Sequence, residues 1–222
     1  MKRFATVVLA CDNEASTLRQ ATAIRGVLES FSLRVHFRHL VQVSHAIDFF
    51  AGDRPPSDYT ILCCHGTSTE RDGPHLLLGV IEGVPLDPPV GGWDEEWKSY
   101  LIRATPAWLT EHSKGGGGTF LSTGCSTGKP EIADAFVKAG YSGYIGCTED
   151  VDTGSGTLFV LSFFHHLLAE DRDWPSEPFD DERAVERARS VDAEGLKWST
   201  NGFRYFARRG ADDPARLLLR SP

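Results

Sequence analysis

Short apolar runs and helical stripes take turns along this chain. Phe4 to Cys11 is an unbroken apolar, β-rich run, the pattern of a strand covered on both faces. Ala21, Ile24, Val27, Leu28 and Phe31 then recur three and four apart behind Ser16, a residue suited to a helix cap, and this spacing predicts a helix. Leu33 to Val41 alternates, with Leu33, Val35 and Phe37 on one face, as a strand does. A short helix from Ser44 through Phe50, a turn at Pro55-Pro56 and a third apolar strand from Tyr59 to Cys64 follow. Strand, helix, strand, helix, strand in that order predicts a mostly parallel sheet with helices on both faces.

Beyond His65-Gly66 the pattern loosens. Thr67 to Asp94 is rich in Gly and Pro around a small apolar patch, Leu76 to Val84, which reads as a hairpin or loop excursion. Trp93, Trp97, Tyr100 and Leu101 are spaced as in a helix, and Thr105-Pro106 starts another through about Glu111, proline being well suited to a first helical position. Gly115 to Gly118 is a loop without the Lys-Ser/Thr of a phosphate cradle. A fourth strand, Thr119 to Thr123, leads into Gly124-Cys125-Ser126-Thr127-Gly128. Then come a helix from Pro130 to Ala139, a fifth strand from Tyr141 to Cys147 and an apolar helix from Gly156 to Leu168. Asp171 to Phe179 is polar, Asp180 to Val191 favours helix, and Phe203 to Arg208 suits an edge strand. We read residues 1–210 as one domain and 211–222 as a tail.

Composition narrows the function. In 222 residues, 41% are hydrophobic and 24% charged, the balance of a folded globular chain. Acidic residues outnumber basic ones 31 to 23, giving a net charge of -8, so nucleic acid and anionic membranes are poor partners. No apolar stretch approaches the roughly 20 residues a membrane span needs. The run ending at Cys11 has basic residues before it, but it is short and meets Asp12, Asn13 and Glu14 at once; it reads as a core strand, not a leader. Five cysteines without framework spacing point to a reducing compartment, the cytoplasm. No CxxC pair suggests a metal, and adjacent Cys63 and Cys64 would point to opposite faces of a strand.

In an open parallel sheet, reacting groups gather beyond the carboxyl ends of the strands. His65 follows the third strand, Cys125 the fourth, Glu149, Asp150 and Asp152 the fifth, and Asp12 the first. A thiol directly ahead of a helix would be favoured as thiolate, and a neighbouring imidazole could take its proton and pass it to a leaving amine. Gly66 and Gly124 leave the backbone bare beside both side chains, so a carbonyl could approach N–H groups closely. Cys11, Cys63, Cys64 and Cys147 lie in apolar runs, and His165 and His166 on an apolar helix; we assign these structural roles.

Those residues carry a family resemblance. Tyr59-Thr-Ile-Leu-Cys-Cys-His65-Gly66 resembles the apolar strand ending in His-Gly of caspase-like (clan CD) cysteine peptidases, which include caspases, metacaspases, separase and CHAT domains. Phe120-Leu-Ser-Thr-Gly-Cys125-Ser-Thr-Gly128, the helix after it and Tyr144 through Asp152 are similar to the CHAT pattern, although the usual Leu-Trp before the acidic turn is replaced by Cys147, Thr148 and Glu149. The resemblance implies a three-layer α/β caspase-like fold and a dyad of Cys125 and His65. It also implies an oxyanion hole of the Gly66 and Cys125 N–H groups, no metal or organic cofactor, a peptide or protein substrate, and a regulatory protein partner. Relatives that cut after basic residues use an acid after the first strand or near the Val-Asp turn, which makes Asp12, Asp150 and Asp152 the substrate-binding candidates. A catalytically silent interaction module on the same fold is the main alternative. A flavodoxin-like nucleotide-binding domain is a weaker one, because no Gly-rich fingerprint is present.

Overall fold

The structure, a computed structural model, describes residues 4–11, 15–70, 73–80, 91–94, 99–168, 180–192 and 200–208. Along the chain come β1 (Phe4–Leu9), α1 (Ala15–Ser30), β2 (Arg34–His39), α2 (Val43–Phe50) and β3 (Tyr59–Cys63). Four further strands follow: β4 (His65–Thr69), β5 (Gly73–Val80), β6 (Gly91–Asp94) and β7 (Ser99–Ala104). The rest is α3 (Pro106–His112), β8 (Thr119–Ser122), α4 (Pro130–Lys138), β9 (Gly143–Cys147), α5 (Thr153–Leu168), α6 (Asp181–Arg189) and β10 (Phe203–Ala207).

The central sheet has six strands in the order β2-β1-β3-β8-β9-β10. All neighbours run parallel except the edge strand β10, which is antiparallel to β9. Two apolar cores flank the sheet, as the period of two along each strand requires. Val8, Leu62, Phe120 and Tyr144 face Phe49, Phe50, Leu109 and Phe136 of α2, α3 and α4. Val7, Ile61, Leu121 and Ile145 face Ile24, Phe159, Phe163 and Val185 of α1, α5 and α6. The fold is thus a three-layer α/β sandwich. Cys63 and Cys64 fall into opposite cores, as their adjacency predicts.

Between β3 and α3 the chain builds a second, four-stranded antiparallel sheet in the order β4-β5-β7-β6. Its Leu76, Leu78, Ile102 and Ala104 extend the first core. The helix expected around Trp93 to Leu101 is absent: Gly91–Asp94 and Ser99–Ala104 are paired strands, and Trp97 lies outside the described residues. Trp93 stands opposite Tyr100 across the β6–β7 pair, so the seven-residue spacing that read as two helical turns belongs to cross-strand neighbours. Smaller corrections concern caps. Ser16 is inside α1, not ahead of it, and α2 begins at Val43 behind Gln42 rather than at Ser44. Thr105 does cap α3, accepting from the Trp108 N–H at 3.2 Å ahead of Pro106.

Candidate active site

The register of β3 against β8 pairs Tyr59 with Thr119 and Leu62 with Ser122. Beyond the strand ends the offset of 60 shortens by one, and His65-Gly66 lies alongside Gly124-Cys125. The backbones there touch. A Cβ built on Gly66 would lie 2.4 Å from the Cys125 carbonyl oxygen and 3.3 Å from its N, and one on Gly124 would lie 2.8 Å from the His65 carbonyl oxygen. Glycine at both positions is what allows this approach. His65 is also the first residue of β4 and pairs with Leu77 of β5, so it stands at the junction of the two sheets.

The turn after β8 is held from beneath by hydroxyl groups. Ser122 Oγ accepts from the Gly124 N–H at 3.2 Å, and Thr127 Oγ1 donates to the Gly124 carbonyl at 2.8 Å. The exit of β9 holds it from the side: the Ser126 N–H donates to Glu149 O at 2.9 Å and the Gly128 N–H to Cys147 O at 2.7 Å. Ser126 has φ 55°, a left-handed conformation that costs a residue with a side chain and persists where the surroundings enforce it.

Among the five thiols only Cys125 is partly exposed; Cys11, Cys63, Cys64 and Cys147 are buried. Its Sγ lies 3.3 Å from the Val151 N–H and 3.3 Å from the Val151 carbonyl. The first contact favours a thiolate and the second a thiol. Burial raises the Cys125 pKa above its ordinary value, the Val151 N–H pulls it down in part, and Asp150 and Asp152 push it up again. This corrects the expectation of a preformed thiolate. Cys125 sits in a turn, and α4 starts only at Pro130, beyond the reach of a helix-terminus effect.

The acidic candidates separate. Asp152 sits ahead of α5, its Oδ1 accepting from the Ser155 N–H at 3.0 Å and its Oδ2 from the Ser155 hydroxyl at 2.6 Å. Burial alone would raise its carboxyl, but these bonds and one from the Gly154 N–H outweigh it and hold the pKa below the ordinary value. Asp150 is exposed and close enough to act on the Cys125 thiol. Asp12 lies outside the described residues. Cys11 before it bridges to Gly79 of β5, so the end of β1 also meets the second sheet. Sequence reasoning missed two groups, the Val151 backbone and Gln20. Gln20 is 4% exposed, and its signal is a polar residue on the buried stripe of α1, among Thr17, Ala21, Ile24 and Leu28. Among the described residues no group of His, Cys, Asp or Glu could hold a metal ion, and no helix is long and apolar enough to cross a membrane.

No family model and no curated protein matches the chain. Solved structures do. A chain of the Saccharomyces cerevisiae separase–securin complex is 9% identical over 93% of this chain, with TM-score 0.49. The Drosophila initiator caspase Dronc is 10% identical over 92% of this chain and 78% of its own, also with TM-score 0.49. The present chain spans 12% of the length of the first.

Proposed function

We propose that this chain is a caspase-like cysteine endopeptidase, with Cys125 as nucleophile and His65 as its proton-transfer partner. The carrying observation is the backbone contact between His65-Gly66 and Gly124-Cys125 at the carboxyl edge of the sheet, beside the single partly exposed thiol. In this reading His65 takes the Sγ proton as sulfur attacks the scissile carbonyl carbon, and the N–H groups of Gly66 and Cys125 hold the oxyanion. The imidazolium then protonates the leaving amine as the C–N bond breaks, leaving a thioester. Water, giving a proton to His65, attacks the thioester; the acid departs and the thiol is restored.

A basic residue on the amino side of the scissile bond fits the site's electrostatics. Asp150 and Asp152 both oppose ionisation of Cys125, so a bound guanidinium would relieve that opposition where the reaction needs it. Asp150 is the foremost described candidate, since Asp152 spends both oxygens on Ser155; Asp12 remains a candidate from the sequence. A carboxylate holds guanidinium through two hydrogen bonds and ammonium as a point charge, so Arg should exceed Lys. One domain over residues 1–210, a regulatory protein partner and a cytoplasmic location complete the reading.

One observation favours the silent module: the raised thiol pKa and the Val151 carbonyl that accepts from Sγ describe a resting thiol. A fluorogenic peptide library against wild type, Cys125→Ala and His65→Ala decides. The peptidase reading requires cleavage that is lost in both variants, and the acidic pocket requires that cleavage to follow Arg, then Lys. Preference for Asp or a large apolar residue would remove the acidic pocket, and undiminished turnover in Cys125→Ala would remove the nucleophile.

A further inference from the structure

We infer that Gln20 is a positioning residue for Cys125, its buried amide tying the end of β8 to the start of α5. The inference rests on the reading of Cys125 as nucleophile. Gln20 Nε2 donates to the Thr153 carbonyl at 3.2 Å, and Thr123 Oγ1 donates to Gln20 Oε1 at 3.0 Å. A backbone carbonyl can only accept, so the nitrogen must face Thr153 and the oxygen is left for Thr123. The amide has one orientation, and it serves both neighbours.

Those neighbours frame the sulfur. Thr123 lies two residues before Cys125, and Thr153 two residues after Val151, whose N–H and carbonyl both lie 3.3 Å from Sγ. Gln20 and the Cys125–Val151 contact are therefore two rungs between the same pair of segments, residues 123–125 and 151–153. Removing the amide leaves the sulfur's own contacts as the one remaining rung of this pair, with the Ser126–Glu149 and Gly128–Cys147 backbone bonds holding the turn farther along. α5 fits against the rung because position 156 has no side chain: a Cβ on Gly156 would lie 3.2 Å from Gln20 Nε2. The amide also floors a groove of about 490 Å³ between α1 and α5, with Arg19, Thr157 and Leu158 on its walls.

No apolar side chain of this length can replace both bonds. Glutamate can accept from Thr123, but it sets an acceptor against the Thr153 carbonyl and a negative charge near the thiol. Loosening the rung lets the Val151 N–H drift from Sγ, and that N–H is the contact that favours the thiolate. The thiol should then ionise at higher pH, and kcat should fall without a matching rise in KM.

The test follows iodoacetamide alkylation of Cys125 against pH, quantified on the Cys125 peptide by mass spectrometry, together with kcat and KM on the best library peptide. Wild type, Gln20→Ala, Gln20→Glu and Thr123→Val are compared, with folding checked by circular dichroism. The inference requires the alkylation midpoint to rise in the folded variants and kcat to fall by about tenfold to a hundredfold, the cost of a slight misplacement. Combining Gln20→Ala with Thr123→Val should add little, because both break one rung. Where Gln20→Ala does not fold, the equally long Gln20→Glu carries the comparison. A wild-type alkylation profile in the folded variants overturns the inference. Cleavage that survives Cys125→Ala instead overturns the peptidase reading, and the alkylation profile still decides what Gln20 does to Cys125.

Discussion

A Cβ at position 66 would stand 2.4 Å from the Cys125 carbonyl oxygen and 2.4 Å from the Thr127 methyl group, closer than any atoms can settle. Gly66→Ala must therefore push the β3 exit away from the Cys125 turn. Overpacking of this kind costs about 1–3 kcal/mol, and in the proposed mechanism it also moves an oxyanion donor. Urea denaturation should record the first effect. The second should appear as a loss of peptide cleavage larger than the stability change explains; a stable, fully active Gly66→Ala would show that the two segments are not held in this contact. The same scale marks what the sequence made legible. Cys125 stands out because Gly, Ser and Thr surround it where the other cysteines have apolar neighbours. The Val151 backbone is silent in sequence, since any residue carries its N–H and carbonyl. The start of α4 at Pro130 is legible in the sequence; what is not legible is that the four residues between it and Cys125 form a turn, which leaves the thiol without the helix terminus that would favour a thiolate.

At the scale of elements, the strands and helices of the main sheet follow their patterns because each buries its own stripe against one of two cores. Of the second sheet, the hairpin alternative read after His65-Gly66 matches the antiparallel pair β4-β5, but β7 was missed because it depends on pairing with β5, 20 to 28 residues earlier, and non-local pairing leaves little local pattern. The buried strands also carry a testable pH dependence. Cys63 on β3 and Cys147 on β9 lie in the same core. Burial raises the Cys63 pKa and pushes Cys147 from an ordinary 9.0 to about 11. A thiol with a raised folded pKa stays protonated in the fold while its unfolded counterpart ionises, so its contribution is complete below pH 9.0 and lost as pH climbs through the folded value of about 11. Stability should decline across that interval by about 1.4 kcal/mol per pH unit for each such thiol. Urea midpoints from pH 8 to pH 11 measure it. Cys147→Ser, with little to ionise there, should flatten the decline, and an unchanged slope would contradict the burial argument.

On the scale of the whole molecule, five parallel strands bring their carboxyl ends to one edge, and the order β1-β3-β8-β9 sets the exits of all four side by side. Residues far apart in sequence, such as His65, Cys125 and Asp150, follow neighbouring strands for that reason. The net charge of -8 adds a field that favours cationic peptides over acidic ones and weakens as salt rises. The fold and the edge where the candidate residues meet were therefore open to prediction from strand order alone, whereas the Val151 contacts to the sulfur and the Gln20 bridge beside them required atoms. The central claim is that Cys125 is a nucleophile and not only a half-buried thiol. It is tested most directly by incubating the chain with an irreversible, thiol-directed peptide inhibitor that ends in Arg and locating the label by mass spectrometry. The account requires Cys125 to be labelled far faster than Cys11, Cys63, Cys64 and Cys147, and the rate to collapse in His65→Ala; labelling of Cys125 no faster than of the other thiols, or unaltered by loss of His65, would contradict it.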